Sequence, residues 1–238
     1  MSNQEQKTMP VTLSIDIGGQ GIKSLAIVGE TEARGERQRI KTPRPASPPA
    51  ILEALQTVIE ASRPFDRITI GFPGVVTNGV VRTAPNLDGD WRDIPLQEKL
   101  AEFAKVPTRL VNDADMQGCA AISGVGVEMV LTLGTGMGSA LFVNGRLVPN
   151  LEFGHHPFEK DQTYEERLGQ EALDSAGVKS WNHRLERAIK LLRKIFNFRH
   201  LYLGGGNARC IEFDLPSDVT VVKNSIAFVG GARLWNYV

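Results

Sequence analysis

Cysteine is almost absent from this 238-residue sequence, which contains only Cys119 and Cys210. Neither cysteine has a second one at the short spacing that metal sites use, and a disulfide scaffold needs more of them. The dipeptide His155-His156 has no cysteine near enough in the sequence to complete a zinc site. We therefore expect neither structural disulfides nor bound zinc.

Long apolar runs are also missing. No stretch approaches the roughly 18 apolar residues of a membrane span, and the first ten residues, MSNQEQKTMP, are polar and unlike a secretory signal. We expect a cytoplasmic protein that does not bind membranes. Net charge is absent as well, since 27 basic residues balance 27 acidic ones. Binding of a polyanion must therefore depend on local patches of charge.

Glycine, by contrast, is concentrated at a few points. The segment SIDIGGQGIKS (residues 14–24) contains Gly18, Gly19 and Gly21, with Lys23 just beyond them. It looks like a phosphate-binding loop but fits neither G-x-x-x-x-G-K-[ST] nor G-x-G-x-x-G, both of which open a helix. The strand-like runs at 12–17 and 23–28 instead predict a hairpin with the glycines at its tip.

The glycine pattern recurs at LTLGTGMGSALFV (residues 131–143), where Gly134, Gly136 and Gly138 again separate two apolar runs. The repetition predicts two related lobes, each opening with a glycine hairpin; the alternative is chance recurrence. A third cluster, at residues 204–206, interrupts a strand-like run in HLYLGGGNAR. Backbone N–H groups at such turns bind oxyanions, and glycine leaves room for a phosphate group.

Hydrophobic periodicity predicts further strands and helices along the chain. Asn112-Asp113 suits the start of one helix, because Asn and Asp cap free backbone N–H groups. Ser225 is the candidate cap of the last helix, and KTPRPASPP (residues 41–49) is predicted to be a loop. Strands are predicted at 35–40, 67–72 and 108–111, and helices at 51–59, 96–103, 181–198 and 224–235.

Two aspartates have positions that suit phosphoryl transfer. Asp16 ends the first predicted strand and could hold a hydrated Mg²⁺, because magnesium binds carboxylates, water and phosphates; the alternative is that it caps the hairpin turn. Asp113 begins a helix after a strand and is the candidate general base, with helix capping as the alternative. Asp115 is expected on a different face of that helix.

Several polar residues beside predicted turns or strand ends are candidates for binding a sugar. Each sugar hydroxyl donates and accepts hydrogen bonds, so its site needs paired acceptors and donors. For each candidate taken alone, an ordinary surface position is the alternative. The candidates are Asn86, Asn112, Glu152, His155 and Glu165.

The stretch from Lys179 to His200 is strongly basic, with seven basic residues against Glu186 alone. Five of them recur at helical spacing and are predicted to share one face, opposite the apolar stripe. Such a face suits a polyanion longer than a single nucleotide, and a solvated helix surface is the alternative. The five are Arg184, Arg187, Lys190, Arg193 and Lys194.

Seven motifs follow one another along the chain: SIDIGGQGIKS, GFPGVV, TAPNLDGDW, LVNDADMQGCAA, LTLGTGMGSALF, LEFGHHPF and LGGGNAR. Together they resemble the ROK sugar kinases, and within that family the polyphosphate-dependent glucokinases. The resemblance extends from about residue 11 to the end of the chain, including NSIAFVGGARLW. It implies an α/β, actin-like (ribonuclease H-like) fold with two lobes and a cleft between them. The N-terminal lobe would span 1–112 and the C-terminal lobe 113–238, with a last helix at about 225–236 packing back on the first lobe.

The resemblance also implies roles for individual residues. Asp113 would take the proton from the 6-hydroxyl of glucose, and Asp16 would bind Mg²⁺ through water. The sugar would be held by Gly74, Asn86, Asn112, Asp113, Glu152, His155 and Glu165. The phosphates of the donor would lie against Asp16, Gly18, Gly19, Gly21 and Lys23, against Gly134, Thr135, Gly136 and Gly138, and against Gly204, Gly205 and Gly206.

The implied reaction is phosphorylation of glucose at O6 by a homodimer, with inorganic polyphosphate or ATP as the donor. The basic residues between 184 and 194 favour polyphosphate, because they offer repeated cations to a repeated anion. The alternatives are an ATP-only sugar kinase, a non-catalytic sugar sensor with the same fold, and an actin- or chaperone-like ATPase.

The sequence differs from the general ROK pattern in two respects. The stretch HHPFEKDQTYEERLG (155–169) lacks the zinc-binding cysteines of most ROK proteins, as the polyphosphate-dependent glucokinases do. It leaves open whether Glu165 or Glu166 completes the sugar site, and Glu165 is favoured. About ten residues precede the first strand, too few for the DNA-binding helix-turn-helix of ROK repressors, so no nucleic-acid partner is expected.

Overall fold

A computed structural model describes residues 9–223 and 227–237. The chain forms two compact units. The first contains residues 9–111 together with Gly231–Arg233, and the second contains the other described residues from 112 onward. Within the described ranges, no helix is both long enough and apolar enough to cross a membrane.

The first unit is built on a five-stranded sheet with the strand order β3-β2-β1-β4-β7. Its first three strands form an antiparallel meander, and β4 pairs with β1 in parallel. In chain order its elements are β1 (Val11–Ile17), β2 (Ile22–Val28), β3 (Glu32–Ile40), α1 (Pro48–Ala61), β4 (Arg67–Phe72), β5 (Val76–Thr77), β6 (Val80–Val81), α2 (Leu96–Ala104) and β7 (Thr108–Asn112).

The central strand β1 explains why this sheet forms. Leu13, Ile15 and Ile17 are buried, and because successive strand residues point to opposite faces, they lie together on one face of the sheet. Helix α1 buries its own apolar stripe, which includes Ile51 and Leu55. Burial of a side chain of this size stabilises the fold by about 1.5–3 kcal/mol.

The second unit is built on another five-stranded sheet, with the order β10-β9-β8-β13-β14. Short 3-10 turns occur at Phe153–His155 and Gly206–Cys210. In chain order its elements are α3 (Asp113–Ala121), β8 (Val127–Leu133), β9 (Met137–Val143), β10 (Arg146–Val148), β11 (Pro157–Glu159), β12 (Gln162–Thr163), α4 (Tyr164–Leu168), α5 (Gln170–Phe196), β13 (His200–Gly204) and β14 (Val219–Val221). The last helix, α6 (Ala227–Tyr237), belongs to the second unit except for Gly231–Arg233, which are counted with the first.

The two sheets have the same order of strands, and this confirms the predicted repetition of glycine hairpins. In each sheet a three-stranded antiparallel meander is followed by a strand that pairs in parallel with the first strand of the meander. The pairing agrees even at single positions. Asp16, the penultimate residue of β1, lies opposite Gly71 of β4. Thr132, the penultimate residue of β8, lies opposite Gly204 of β13.

The boundaries of two helices differ from the prediction. Helix α1 begins at Pro48, inside the segment predicted to be a loop. Proline is accepted in the first turn of a helix, because the N–H groups there have no partner within the helix. Helix α5 begins at Gln170 instead of residue 181, and Gly177 (φ 75°, ψ 160°) interrupts it. It ends at Phe196, where Asn197 takes the left-handed conformation (φ 46°) that Asn tolerates.

Other elements were missed because they are short. Strands of two or three residues, such as β5, β11 and β14, carry no measurable periodicity. The last helix is described from Ala227 onward. Its predicted cap, Ser225, lies outside the described residues.

Candidate active site

The first glycine loop closes as a tight hairpin. The Gly18 N–H donates to the Gly21 carbonyl oxygen at 3.1 Å, and the Gly21 N–H donates back at 3.4 Å. Residues that follow β3 hold the loop from outside: Thr42 Oγ1 donates to the Gly18 oxygen at 2.6 Å, and Arg44 Nη2 donates to the Gly19 oxygen at 2.7 Å. The loop is therefore braced by its neighbours within the first unit.

The carboxylate of Asp16 lies at the base of this loop, nearly buried. Its Oδ2 atom is 3.1 Å from Lys23 Nζ, and the two residues lie directly opposite each other on β1 and β2. Arg39 of β3 lies opposite Lys23 on its other side. Directly opposite residues of neighbouring strands project to one face, so the three side chains form a charged row across the sheet.

The second glycine loop and the Gly204–Gly206 turn lie together within the second unit. Asn207 Nδ2 donates to the Gly134 oxygen at 3.1 Å. Gly205 has φ 89°, and a Cβ there would collide with the Leu133 backbone. Glycine at 205 is thus required by conformation and by packing at the end of β8.

At three other positions in these loops, neither a positive φ nor close packing requires glycine. At Gly19, Gly134 and Gly206, no described atom beyond the adjoining chain lies within 4 Å of the position a Cβ would take. None of the three has a positive φ. Each would therefore accept alanine without strain in the protein alone. The open space beside each backbone is where a phosphate oxygen can approach.

A group of polar side chains gathers around the start of α3. Asn112 caps the helix, its Oδ1 accepting from the N–H groups of Ala114 (2.8 Å) and Asp115 (3.3 Å). Its Nδ2 donates to Glu152 Oε1 at 3.4 Å, and Glu152 Oε2 is 3.6 Å from His155 Nε2. Of the predicted sugar ligands, the structure thus brings Asn112, Glu152 and His155 together.

Glu152 is electrostatically coupled to Glu165 as well. Burial raises the pKa of Glu152, the nearby His155 lowers it, and the charge of Glu165 raises it again. Glu165 Oε2 accepts from the Met137 N–H at 3.1 Å, and a Cβ on Gly136 would collide with this carboxylate. Glu165 therefore connects the predicted sugar ligands to the second glycine loop.

Glu166 has a different task. It forms a capping box with Thr163: the Glu166 N–H donates to Thr163 Oγ1 at 3.2 Å, and the Thr163 N–H donates to Glu166 Oε2 at 2.7 Å. Such a box satisfies two backbone donors at the start of a helix, here α4. Its carboxylate is therefore used locally, in contrast to that of Glu165.

Asp113 and Asp115 occupy the first turn of α3 in different surroundings. Asp113 is partly exposed, and its Oδ1 accepts from the Ala114 N–H at 2.8 Å. Asp115 is 1% exposed; its Oδ2 accepts from the Asn150 N–H at 3.1 Å, and its Oδ1 has no hydrogen-bond partner among the described residues. Burial raises the pKa of Asp115 to about 7, and the charges of Asp113 and Glu152 contribute to the increase.

The remaining predicted sugar ligands belong to the first unit. Gly74 lies where a Cβ would collide with the carbonyl of Thr83, so packing requires glycine there. Asn86 is exposed in the turn that follows β6.

The five cations predicted to share one face of α5 spread over about half of the helix circumference. A step of three residues turns a helix by about 300°, so a run of such steps moves progressively around the axis. Arg184 (3.7 Å) and Arg187 (3.2 Å) both approach Glu159 on one side. Arg193 pairs with Asp218 at 2.6 Å on another side.

Lys190 also has an anionic partner, Glu186, at 2.6 Å. Four of the five predicted cations therefore carry a salt bridge. Glu159 and Asp218 lie outside the basic stretch in the sequence, so a count of charges along the helix does not include them.

Sequence reasoning missed a basic cavity of about 390 Å³ beside the first glycine loop. Three cations line it: Arg39, Lys41 and Arg44. They come from the end of β3 and the segment predicted to be a loop, where the charge pattern is too short to be distinctive. Among the residues that the structure describes, no three histidine, cysteine, aspartate or glutamate side chains gather to form a metal site.

Comparison with known proteins agrees with the repeated α/β units. Residues 12–169 match the ROK family. The polyphosphate glucokinase of Mycobacterium tuberculosis is 38% identical over 238 residues, which cover 92% of this chain and 88% of that protein. The polyphosphate glucokinase of Mycobacterium leprae is 31% identical over 92% of this chain and 72% of its own length.

A solved structure has the same architecture. The inorganic polyphosphate/ATP-glucomannokinase of Arthrobacter sp. strain KM superimposes with a TM-score of 0.82 and 29% identity, over 94% of this chain and 97% of that one. The fold is therefore the actin-like, two-lobed fold of sugar kinases. Within that class, the chain belongs to the ROK family.

Proposed function

We propose that this protein is a kinase that phosphorylates glucose at O6, with inorganic polyphosphate or ATP as the donor. The observation that carries the phosphoryl-transfer part is the set of open positions at Gly19, Gly134 and Gly206, where neither packing nor a positive φ requires glycine and a phosphate group has room to approach. The names of the relatives, polyphosphate glucokinase and polyphosphate/ATP-glucomannokinase, support glucose as acceptor and both donors.

Each of the three glycine loops is proposed to bind phosphate through its own backbone N–H groups. Asp16 suits a hydrated Mg²⁺, since this ion takes one or two carboxylates, keeps several waters and binds substrate phosphates. Bound there, the ion would neutralise charge on the phosphoryl group in transfer. Lys23, which is 3.1 Å from Asp16, adds a fixed positive charge to the same place.

In the second unit, the sugar site is proposed to contain Asn112, Glu152, His155 and Glu165. Gly74 and Asn86, which belong to the first unit, remain predictions from the family resemblance. Contacts among the second-unit members support this, because Glu152 couples to Asn112, His155 and Glu165. Carboxylate and imidazole groups accept and donate the hydrogen bonds that sugar hydroxyls need. The capping role of Glu166 supports Glu165 as the member from α4.

Asp113 is proposed to be the general base. As the O6–phosphorus bond forms and the bond to the leaving phosphate breaks, its carboxylate accepts the O6 proton. Much of the rate in such transfers comes from positioning and charge stabilisation, and the base contributes about 10²–10⁴-fold.

The substitution Asp113→Asn tests this assignment. Asparagine keeps an oxygen for the Ala114 N–H but cannot accept the proton, so kcat should fall by about 10²–10⁴-fold while the Kd of glucose by calorimetry changes little. Exposed Asp214 provides a control, and Asp214→Asn should retain full activity. Near-normal turnover by Asp113→Asn would remove Asp113 as the base.

The activity itself is tested by measuring glucose 6-phosphate with Mg²⁺ and either ATP or long-chain polyphosphate. Product with both donors supports the proposal, and product with ATP alone would indicate an ATP-only sugar kinase. Glucose binding without product from either donor would indicate a sugar sensor, and ATP hydrolysis without sugar would indicate an ATPase. By resemblance to the family we also propose a homodimer, which light scattering after size-exclusion chromatography tests.

A further inference from the structure

The three cations of the basic cavity beside the first glycine loop, Arg39, Lys41 and Arg44, have no part in the function proposed so far. The cavity is lined by Gly19 and Gln20 of the loop together with residues 39–42 and Arg44. Its volume is about 390 Å³, and among these described lining residues there is no carboxylate. In a chain with a net charge of zero, it is a local concentration of positive charge.

The cations of the cavity retain most of their charge for a ligand. Arg39 and Lys41 are exposed and form no salt bridge within the described part of the chain. Arg44 Nη1 is 3.5 Å from Asp88 Oδ2, and both side chains are at least half exposed. Exposed pairs of this kind contribute little to stability, so they are readily exchanged for a bound anion.

The cavity continues the charged row that begins at Asp16. Asp16, Lys23 and Arg39 lie on three adjacent strands, which are spaced about 4.8 Å apart. Arg39 belongs to this row and also lines the cavity. A phosphate group held at the first glycine loop would therefore have further cations directly beyond it.

Helix α5 offers less to such a ligand. Arg184 and Arg187 share Glu159, and Arg193 is held by Asp218. A polyanion would have to displace these carboxylates before it could bind. At the cavity, a polyanion would have to displace only the Asp88 carboxylate from Arg44.

We propose that the basic cavity binds linear polyphosphate as an extension of the phosphate site at the first glycine loop. This inference rests on the proposed function, in which polyphosphate is a donor. The terminal phosphate lies at the loop, and the phosphates that follow it lie over Arg39, Lys41 and Arg44. None of the described lining residues is aromatic, so a nucleotide base has no ring to stack on, and a chain of phosphates fits the cavity better.

The double variant Arg39→Gln, Lys41→Gln tests the proposal. Both side chains are exposed, so the fold should persist. We expect the KM for long-chain polyphosphate to rise at least tenfold, with the KM values for ATP and glucose within twofold of wild type. The affinity for polyphosphate should also depend less steeply on salt concentration, because fewer counterions are released on binding. Anisotropy of end-labelled polyphosphate without glucose gives the same comparison independently of turnover.

Two further double variants control the experiment. Arg92→Gln, Lys99→Gln removes two exposed cations of the first unit from outside the cavity, and Lys190→Gln, Lys194→Gln removes two from α5. Both should keep the KM for polyphosphate within twofold.

Three results would overturn the cavity as the polyphosphate site. They are an unchanged polyphosphate KM in the cavity variant, equal losses with polyphosphate and ATP, and a loss confined to the α5 variant. Failure of the proposed function would be seen separately, as wild-type protein that forms no glucose 6-phosphate from either donor.

Discussion

Gly19, Gly134 and Gly206 differ from Gly205 although all four belong to the glycine loops. At Gly205 the backbone conformation and the Leu133 backbone exclude any side chain. At the other three positions the space beside the backbone is open and φ is not positive. Glycine is thus required by the fold at Gly205, whereas at the other three positions the fold does not require it. Substitution experiments can separate the two cases.

Alanine substitutions make that separation. Gly19→Ala, Gly134→Ala and Gly206→Ala should leave the free energy of unfolding unchanged or raise it by about 0.4–1 kcal/mol, since alanine restricts the unfolded chain. The KM for the phosphate donor should rise at least tenfold, because the methyl group occupies the space of a phosphate oxygen. Urea unfolding and donor kinetics measure both. Gly205→Ala serves as the contrasting control and should lose stability, whereas full activity in the other three would contradict the phosphate assignment.

Asp115 predicts a dependence of stability on pH. Its pKa is about 7 in the folded protein, against an ordinary value of 3.8, so the folded state holds a proton that the unfolded state has released. This group therefore makes the folded state progressively less stable as the pH rises from about 4 to 7, and the loss is complete above that range.

Asp115→Asn should remove this contribution. Asparagine can still accept from the Asn150 N–H but cannot ionise. Relative to wild type, the free energy of unfolding of the variant should increase between pH 5 and pH 8, as measured by urea denaturation. A difference that is the same at both pH values would show that Asp115 ionises as easily in the folded protein as in the unfolded chain.

For individual residues, the sequence predicts more about the glycine loops than about the surroundings of the charged side chains. The loops are local, so their residues are adjacent in the chain. The burial of Asp115 and the pairing of Glu159 with Arg184 and Arg187 depend on segments that are distant in sequence. A helical projection shows only that Asp115 faces away from Asp113; it cannot show what covers it.

At the start of helix α3, one side chain both caps the helix and contacts a candidate sugar ligand. Asn112 caps the helix through Oδ1 and approaches Glu152 through Nδ2. The cap was predictable from the local sequence, because Asn before a helix satisfies orphan N–H groups. The contact with Glu152, 40 residues away, was not.

Asn112→Ser separates the two roles. Serine is about as good a cap as asparagine, so the free energy of unfolding should stay within about 0.5 kcal/mol, whereas Asn112→Ala should lose about 1 kcal/mol. Serine lacks the amide donor, so the Kd of glucose should rise several-fold if Asn112 binds the sugar. Urea unfolding and calorimetry measure the two effects, and an unchanged Kd in Asn112→Ser would leave Asn112 with the capping role alone.

Helix α5 shows where periodicity is insufficient. Its apolar stripe correctly places a helix over the second half, with Leu185, Ile189 and Leu192 buried. The first half is less regular, and Gly177 separates it from the rest. The five cations, at steps of one to three residues, spread over about half of the helix circumference, because only steps that average 3.6 residues stay in one line along a helix.

For the whole molecule, the repetition of the glycine hairpin was the most informative feature of the sequence. Two similar segments predicted two related α/β units, and the sheets have matching strand orders. The family resemblance depended on several motifs occurring in one order, and the match of residues 12–169 to the ROK family confirms the family. The cavity at residues 39–44 was not predictable, because it forms only when the end of β3 lies beside the first loop.

Because the two sheets have matching strand orders, each position in the first hairpin has an equivalent position in the second. Asp16 and Lys23 face each other near the tip of the first hairpin, and the equivalent pair in the second hairpin is Thr132 and Gly138. An ion pair in one half thus corresponds to uncharged residues in the other. The two hairpins have the same strand pairing but differ in charge at this position. The ion pair cannot simply be copied to the second hairpin, because a Cβ on Gly138 would collide with Thr132 Oγ1 and press on Ala114 Cβ.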